Sequence, residues 1–390
     1  MPFDISKIVR PNFLTLEPYR CARDDFKVGI LLDANENTYG PSFDKTELEE
    51  SLELNRYPDP HQIELKQQIC DYRNSERKAS TPLKPENLCL GVGSDESIDA
   101  MMRCCIKPGI EKMITCPPTY GMYNICAVVN DVEIIQVPLD FTNFQIQPKL
   151  ILEQLKNDDK IKLVYITSPG NPTAQKIDEE LLFELLEGVK EIEWNGLIIM
   201  DEAYIDFSPA GSSVSTLVNQ YPNLVVFQTL SKALGLAGIR LGITFSTPEI
   251  SAVLNAFKYP YNISNLTSSV ALRATKPESL NEMKTKLARI ISQRKIVLDK
   301  LTSLKQIGRN IGGLDSNFIL LEILNKEGKP DNEIAHEVYI KLATEKNVVV
   351  RFRGKEPGCL GCLRITIGTE EENQKLVQEF ENVLNEVVGV

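Results

Sequence analysis

Histidine is nearly absent from this chain: His61 and His336 are the only two in 390 residues. That excludes His-rich zinc sites and counts against a hydrolase built on a histidine base. Basic charge is also in deficit, with 43 Lys and Arg against 54 Asp and Glu and a formal net charge of −11. Nucleic acid and anionic membranes both attract a positive field, so a bulk binder of either is excluded. No apolar run approaches the roughly 18 residues that a membrane helix needs. The opening MPFDISKIVRPN has no apolar core after a basic stretch, which argues against a signal peptide. The nine cysteines are an odd count with no disulfide spacing, so the expectation is a cytoplasmic protein with reduced thiols. Cys359 and Cys362 form a CxxC, but no second CxxC or HxxxH supplies the other ligands of a structural zinc site. They read as two small buried or loop thiols. Chemistry is left to lysine, tyrosine, arginine and carboxylates.

What is present is an α/β pattern. At about 150 residues per domain the length suggests two domains. The runs KLVYIT (162–167), GLIIM (196–200) and NLVVFQTL (223–230) read as buried strands of a mainly parallel sheet. Between the first two, IDEELLFELLEGVKEI spaces its apolar residues as a helix does. Each strand runs into a polar cluster at its carboxyl end: SPGNPT, DEAYIDFS and SKALGLAGIRLG. Ligands of open parallel sheets sit at that edge. NLCLGVGSDESIDAMMRCCI reads as strand, glycine turn and helix. From about 275 a long charged helix precedes FILLEI, VVVRF and LRITIG, with a closing helix near 370–388, which suggests a second, α+β unit. Residues 1–45 are irregular and read as a wrapping arm.

The clusters carry chemistry by residue type. Lys232 follows a buried strand, where burial and nearby cations lower an amine's pKa and make it a nucleophile. Thr229, Ser231 and Arg240 around it suit a phosphate. Asp201 ends the preceding strand, and an anion there can keep a pyridinium charged. Its neighbour Glu202 points to the opposite face on an extended chain, which argues against a metal pair. Tyr204 then offers a phenol. GVGSDES (91–97) offers backbone N–H groups at a helix start, although a plain glycine turn with a Ser or Asp cap explains it as well. Tyr120 in PPTYGMY is either core filler or a face for a planar ring. Asn171 in SPGNPT is either turn chemistry or a presented amide. Arg351, Arg353 and Arg364 lie in or near strand patterns. Arg364 alternates with Thr366, away from the apolar face of Leu363, Ile365 and Ile367, so it can face a cleft.

TLSKALGLAGIRLG, DEAYIDF, TSPGNPT, PPTYGMY, GVGSDES and LLDANENTYGP together resemble the fold-type I, pyridoxal-phosphate-dependent aminotransferases. LEPYRCARDD, RYPDP and VVVRFRGKEPGCLGCLRITIGT resemble more narrowly the histidinol-phosphate aminotransferases, above all the fungal ones. The resemblance runs in order from about residue 5 to 385. It implies a large cofactor-binding domain over 46–272, with a mainly parallel sheet sandwiched by helices. A smaller α+β domain and arm would be formed by 1–45 plus 273–390. It implies that Lys232 forms the Schiff base with pyridoxal 5'-phosphate and shuttles a proton. Asp201 would meet the ring nitrogen, Asn171 and Tyr204 the ring hydroxyl, and Tyr120 the ring face. The backbone at Ser94, Asp95 and Glu96 would cradle the phosphate with Thr229, Ser231 and Arg240. Tyr57 of RYPDP would cross to the neighbouring subunit of a homodimer, and Tyr19, Arg351 and Arg364 would hold the substrate anion.

The implied reaction is transfer of an amino group between histidinol phosphate and 2-oxoglutarate. The rival readings are a broad aromatic aminotransferase and a lyase of the threonine-phosphate decarboxylase kind. One departure stands out: Ala174 occupies the position where the family's SPGNPTG pattern has a glycine, which would permit positive φ or close backbone approach.

Overall fold

The structure is a computed structural model, and it describes residues 3–11, 13–14 and 51–389. Tyr19, Cys21 and the LLDANENTYGP segment lie outside the described residues. The first sheet contains β1 (Leu88–Gly91), β2 (Lys112–Thr115), β3 (Glu133–Gln136), β4 (Ile161–Thr167), β5 (Leu197–Asp201), β6 (Leu224–Thr229) and β7 (Gly242–Phe245). Their order across the sheet is β1-β7-β6-β5-β4-β2-β3. The pairs β2–β3, β2–β4, β4–β5 and β5–β6 are parallel, and β7 is antiparallel to both β6 and β1. Strand β7 escaped the sequence reading. The stretch between Thr229 and Gly242 holds only the 3-10 turn Ala237–Ile239 rather than a crossover helix, and β7 returns antiparallel.

Alternation along the central strands explains their unbroken apolar runs. Val164 and Ile166 of β4, Ile198 and Met200 of β5, and Leu224 and Val226 of β6 enter one core. Leu163 and Tyr165, Leu197 and Ile199, and Val225 and Phe227 enter a second core on the other face. Helix Glu179–Glu191 covers the first face with Leu182, Leu185, Leu186 and Val189, at the helical spacing the sequence predicts. Helix Gly93–Cys105 covers the second with Ile98, Met101, Met102 and Cys105. Burying each such side chain contributes roughly 1.5–3 kcal/mol.

The second sheet contains β8 (Ile307–Asn310), β9 (Phe318–Ile323), β10 (Arg351–Phe352) and β11 (Cys362–Thr366), ordered β10-β11-β9-β8 and antiparallel throughout. It packs against helices Pro277–Thr302, Asn332–Glu345 and Glu370–Val388 around its own core, which includes Leu301, Leu342, Phe380, Leu363 and Ile365. The expected division at 272/273 falls within helix Asn265–Ala274. No described helix is long and apolar enough to cross a membrane.

Candidate active site

The carboxyl ends of β4, β5 and β6 open into a cleft of about 390 Å³. Ser94, Asp95, Tyr120, Asn171, Asp201, Tyr204, Thr229, Ser231, Lys232, Arg240, Arg351 and Arg364 all line it. Residues that lie far apart in sequence are thus gathered at one edge by strand order. A larger hollow around Trp194, Tyr221 and Asn223 lies at the opposite, amino ends of β5 and β6, away from this set.

Asp201 is the last residue of β5 and is buried at 3% exposure. Burial pushes its carboxyl up to about 6, against hydrogen bonds from Tyr123 and the Ala203 N–H that favour the charged form. Tyr123 Oη donates to Asp201 Oδ2 at 2.7 Å and lies 2.9 Å from Thr167 Oγ1. Glu202 turns away from the cleft, as alternation predicts. Its carboxylate accepts from Ser213 Oγ at 2.6 Å, Val214 N at 2.7 Å and Gln228 Nε2 at 2.7 Å, inside the structural network that also holds Arg73 and Asp206.

Lys232 is open to the cleft, with Nζ 5.6 Å from the Tyr204 ring centroid. The surrounding protein lowers its pKa, helped by the guanidiniums of Arg364 and Arg240 and opposed by Asp95 and Asp201. Beside it Thr229 Oγ1 donates to Leu241 O at 2.9 Å and lies 2.9 Å from Ser231 Oγ. Helix Gly93–Cys105 begins with no side-chain cap. Its first-turn N–H groups are therefore available to an anion, and the helix dipole favours one there. The Asp95 carboxylate is engaged by Tyr120 Oη at 3.1 Å and Arg240 Nη2 at 3.5 Å, so its contribution to an anion site is its backbone N–H. Gly93 has φ +77°, and a Cβ there would collide with the Arg240 guanidinium. Glu96 does not line the cleft; its carboxylate accepts from the Val92 N–H and the Asn262 amide.

Asn171 is buried and accepts from Arg364 Nη1 at 2.5 Å, which ties β11 to the turn after β4. Arg364 also lies over the Phe318 ring at 5.1 Å. Ala174 adopts φ +53°, the left-handed conformation for which a glycine would be suited. It is fully buried beside Tyr204 and Phe318, and its carbonyl accepts from Asp315 N at 3.0 Å.

The amino-acid pattern extends further than the sequence reading took it. Arg353 lines the cleft as well, signalled by its two-residue spacing from Arg351. Tyr123 had no signal, because its role comes from how the helix Met122–Val129 docks. Tyr57 does not line this cleft; it is 53% exposed and stacked on Tyr261 at 4.6 Å. Neither histidine lines it.

The family described as aminotransferase class I and II matches residues 27–380. The chain belongs to that family. It is 63% identical to histidinol-phosphate aminotransferase from Candida maltosa over 99% of both chains. It is 50% identical to histidinol-phosphate aminotransferase from Saccharomyces cerevisiae over 98% of both. In fold it is similar to the crystal structure of histidinol-phosphate aminotransferase from Sinorhizobium meliloti in complex with pyridoxal-5'-phosphate, with a TM-score of 0.74, 21% identity and 90% of each chain covered. As an aminotransferase of this family the protein works with pyridoxal 5'-phosphate, and the donor set fits that group. An uncapped helix start, Arg240 and three hydroxyls, of Ser94, Thr229 and Ser231, suit its phosphate. A buried carboxylate suits its ring nitrogen, and a lysine of lowered pKa lines the same cleft.

Proposed function

We propose that this aminotransferase moves an amino group from L-histidinol phosphate to 2-oxoglutarate, giving imidazole-acetol phosphate and L-glutamate. The observation that carries the reading is 63% identity, over 99% of both chains, to a protein of that name. Arginines at one end of the cleft support it, because both partners are anions. When bound, pyridoxal phosphate supplies the electron sink and carries the amino group between the two half-reactions. Lys232 Nζ holds the cofactor and moves the proton at the substrate carbon, a task suited to an amine of lowered pKa. Asp201 balances the charge of the protonated ring nitrogen, and Tyr123 keeps Asp201 anionic. Asn171 and Tyr204 would hold the ring hydroxyl, and Tyr120 would offer its face to the ring. Ser94, Asp95, Thr229, Ser231 and Arg240 bind the phosphate, with Glu96 acting only through its backbone. Arg351, Arg364 and Tyr19 bind the substrate's phosphate or carboxylate.

The active unit in this reading is a cytoplasmic homodimer in which Tyr57 reaches the partner's cofactor phosphate. The exposed position of Tyr57 outside its own cleft supports that arrangement. We also read the two sheets as the cores of two domains meeting near residue 273. The test is kcat/KM of the purified enzyme for histidinol phosphate and for phenylalanine, each with 2-oxoglutarate. Equal efficiency favours the broad aromatic reading, and release of carbon dioxide without use of 2-oxoglutarate favours the lyase.

A further inference from the structure

The cleft holds a guanidinium to which the family resemblance gives no role. Arg351 pairs with Arg364 across β10 and β11, and Arg353 continues that ladder by donating its N–H to Cys362 O at 2.8 Å. Side chains alternate along a strand, so Arg351, Arg353 and Arg364 stand on one face of the sheet. Like charges opposite and diagonal to one another destabilise a sheet. Burial and this mutual repulsion lower the pKa of both Arg353 and Arg364. Compensation among the described residues is slight: Glu356 Oε1 lies 3.5 Å from Arg353 Nη1 and is itself one-third exposed. Arg364 has Asn171 and the Phe318 ring. Among the described residues, the buried Nε atoms of Arg353 and Arg364 have no hydrogen-bond partner. Most buried N–H donors in folded proteins have a partner, so two orphans at the wall of one cleft point to acceptors outside the described residues, such as those of a ligand.

We propose that Arg353 is a third substrate ligand that matches the cleft to a doubly charged group, the phosphate dianion of the substrate. Arg351 and Arg364 alone supply one fork to each of two single charges. The third fork brings the positive charge that a dianion requires and sets the enzyme against monoanionic amino acids of similar shape. This rests on the substrate class proposed above.

The test uses the cofactor-loaded enzyme and its Arg353→Gln, Arg353→Lys and Glu356→Gln variants. Calorimetric titration with inorganic phosphate gives Kd, and steady-state kinetics with histidinol phosphate give KM and kcat separately. Arg353→Gln should weaken phosphate binding roughly 10- to 100-fold and raise KM with little change in kcat. Arg353→Lys should recover affinity to within about tenfold of wild type, keeping the charge but losing the fork. The visible spectrum of the bound cofactor and Tm should stay unchanged in both. Glu356→Gln releases Arg353 from its carboxylate and should tighten phosphate binding about threefold. Phosphate affinity within about twofold of wild type in both Arg353→Gln and Glu356→Gln overturns the proposal. So does a loss of Tm and of phosphate affinity shared equally by the Gln and Lys variants, which marks a structural role. If Arg353→Gln does not fold, Glu356→Gln decides alone. Wild-type enzyme that binds phosphate but does not turn over histidinol phosphate defeats the substrate assignment and leaves the arginine result standing.

Discussion

Tyr123 donates its phenolic hydrogen to Asp201 Oδ2 at 2.7 Å, from the helix Met122–Val129 that begins within the PPTYGMY segment to the end of the central strand β5. The bond favours the carboxylate, whereas burial favours the acid and wins, leaving the group near 6 before the cofactor binds. An acid whose folded pKa exceeds its ordinary value stabilises the fold at low pH and loses that stabilisation as pH rises through the folded value. The window here runs from about 4 to 6. Tyr123→Phe should move the folded value higher, and with it the acid limb of cofactor binding and activity. Asp201→Asn should make the cofactor-free protein more stable at pH 8, on the order of 2 kcal/mol, while abolishing transamination. Thermal unfolding of the cofactor-free proteins across pH checks both; a profile that matches wild type in Tyr123→Phe removes the hydrogen bond from the account.

Lys232 is the one amine among the described residues that line the cleft. Lys232→Ala should lose the visible absorption of bound cofactor and lower turnover by roughly 10²–10⁴-fold or more. Retention of near-wild-type rate would mean that another base moves the proton.

Arg364 joins the second sheet to the turn after β4 through Asn171 and also lines the cleft. Arg364→Ala should cut kcat/KM for histidinol phosphate roughly 100-fold or more, because a buried partner of an anion is lost. Asn171→Ala should weaken the same parameter less. The two together should fall short of the sum of their separate effects, since the residues touch. Additive losses in that cycle would show that the observed contact carries no coupling.

The eight described cysteines are free and buried, and burial pushes the thiol of Cys359 up to about 12 and that of Cys362 higher still. Thiolate is the reactive form, so these thiols should resist alkylation at neutral pH until the protein unfolds. Mass spectrometry of the alkylated native protein checks this; rapid labelling of Cys359 or Cys362 contradicts the buried reading.

Much of the site was legible because α/β strands write their burial into sequence. β4, β5 and β6 are covered on both faces, so each reads as an unbroken apolar run, and the polar residue that ends the run is the one at the cleft. Asp201 and Thr229 end their runs in this way, and Lys232 stands out three residues beyond Thr229 only with its flanking hydroxyls and Arg240. The edge strand was less legible. VVVRF reads as a strand, but only Arg351–Phe352 pairs. Val348 N instead turns back to Leu342 O to close helix Asn332–Glu345, and Val349 is 77% exposed. Tyr123 was illegible because its partner is fixed by helix docking, a tertiary relationship with no local period. Ala174 shows the converse: the sequence marks an expected glycine, and the backbone keeps positive φ without it.

Tyr57 gives the sharpest test of the proposed dimer. It lies outside the cleft of its own chain and half of it is exposed. If it completes the partner's site, Lys232→Ala and Tyr57→Phe are defects of different subunits acting on one site. In a mixed dimer of the two variants, one site then carries both defects and the other carries neither. Coexpression of the two should therefore restore activity that neither variant has alone, toward about a quarter of the wild-type value per site for random pairing in a twofold dimer. If Tyr57 serves its own chain, every site in the mixed dimer keeps one defect and mixing restores nothing. Cofactor retention provides the independent readout: Tyr57→Phe should release pyridoxal phosphate more readily on dialysis, and the mixed dimer should keep it at one site in two.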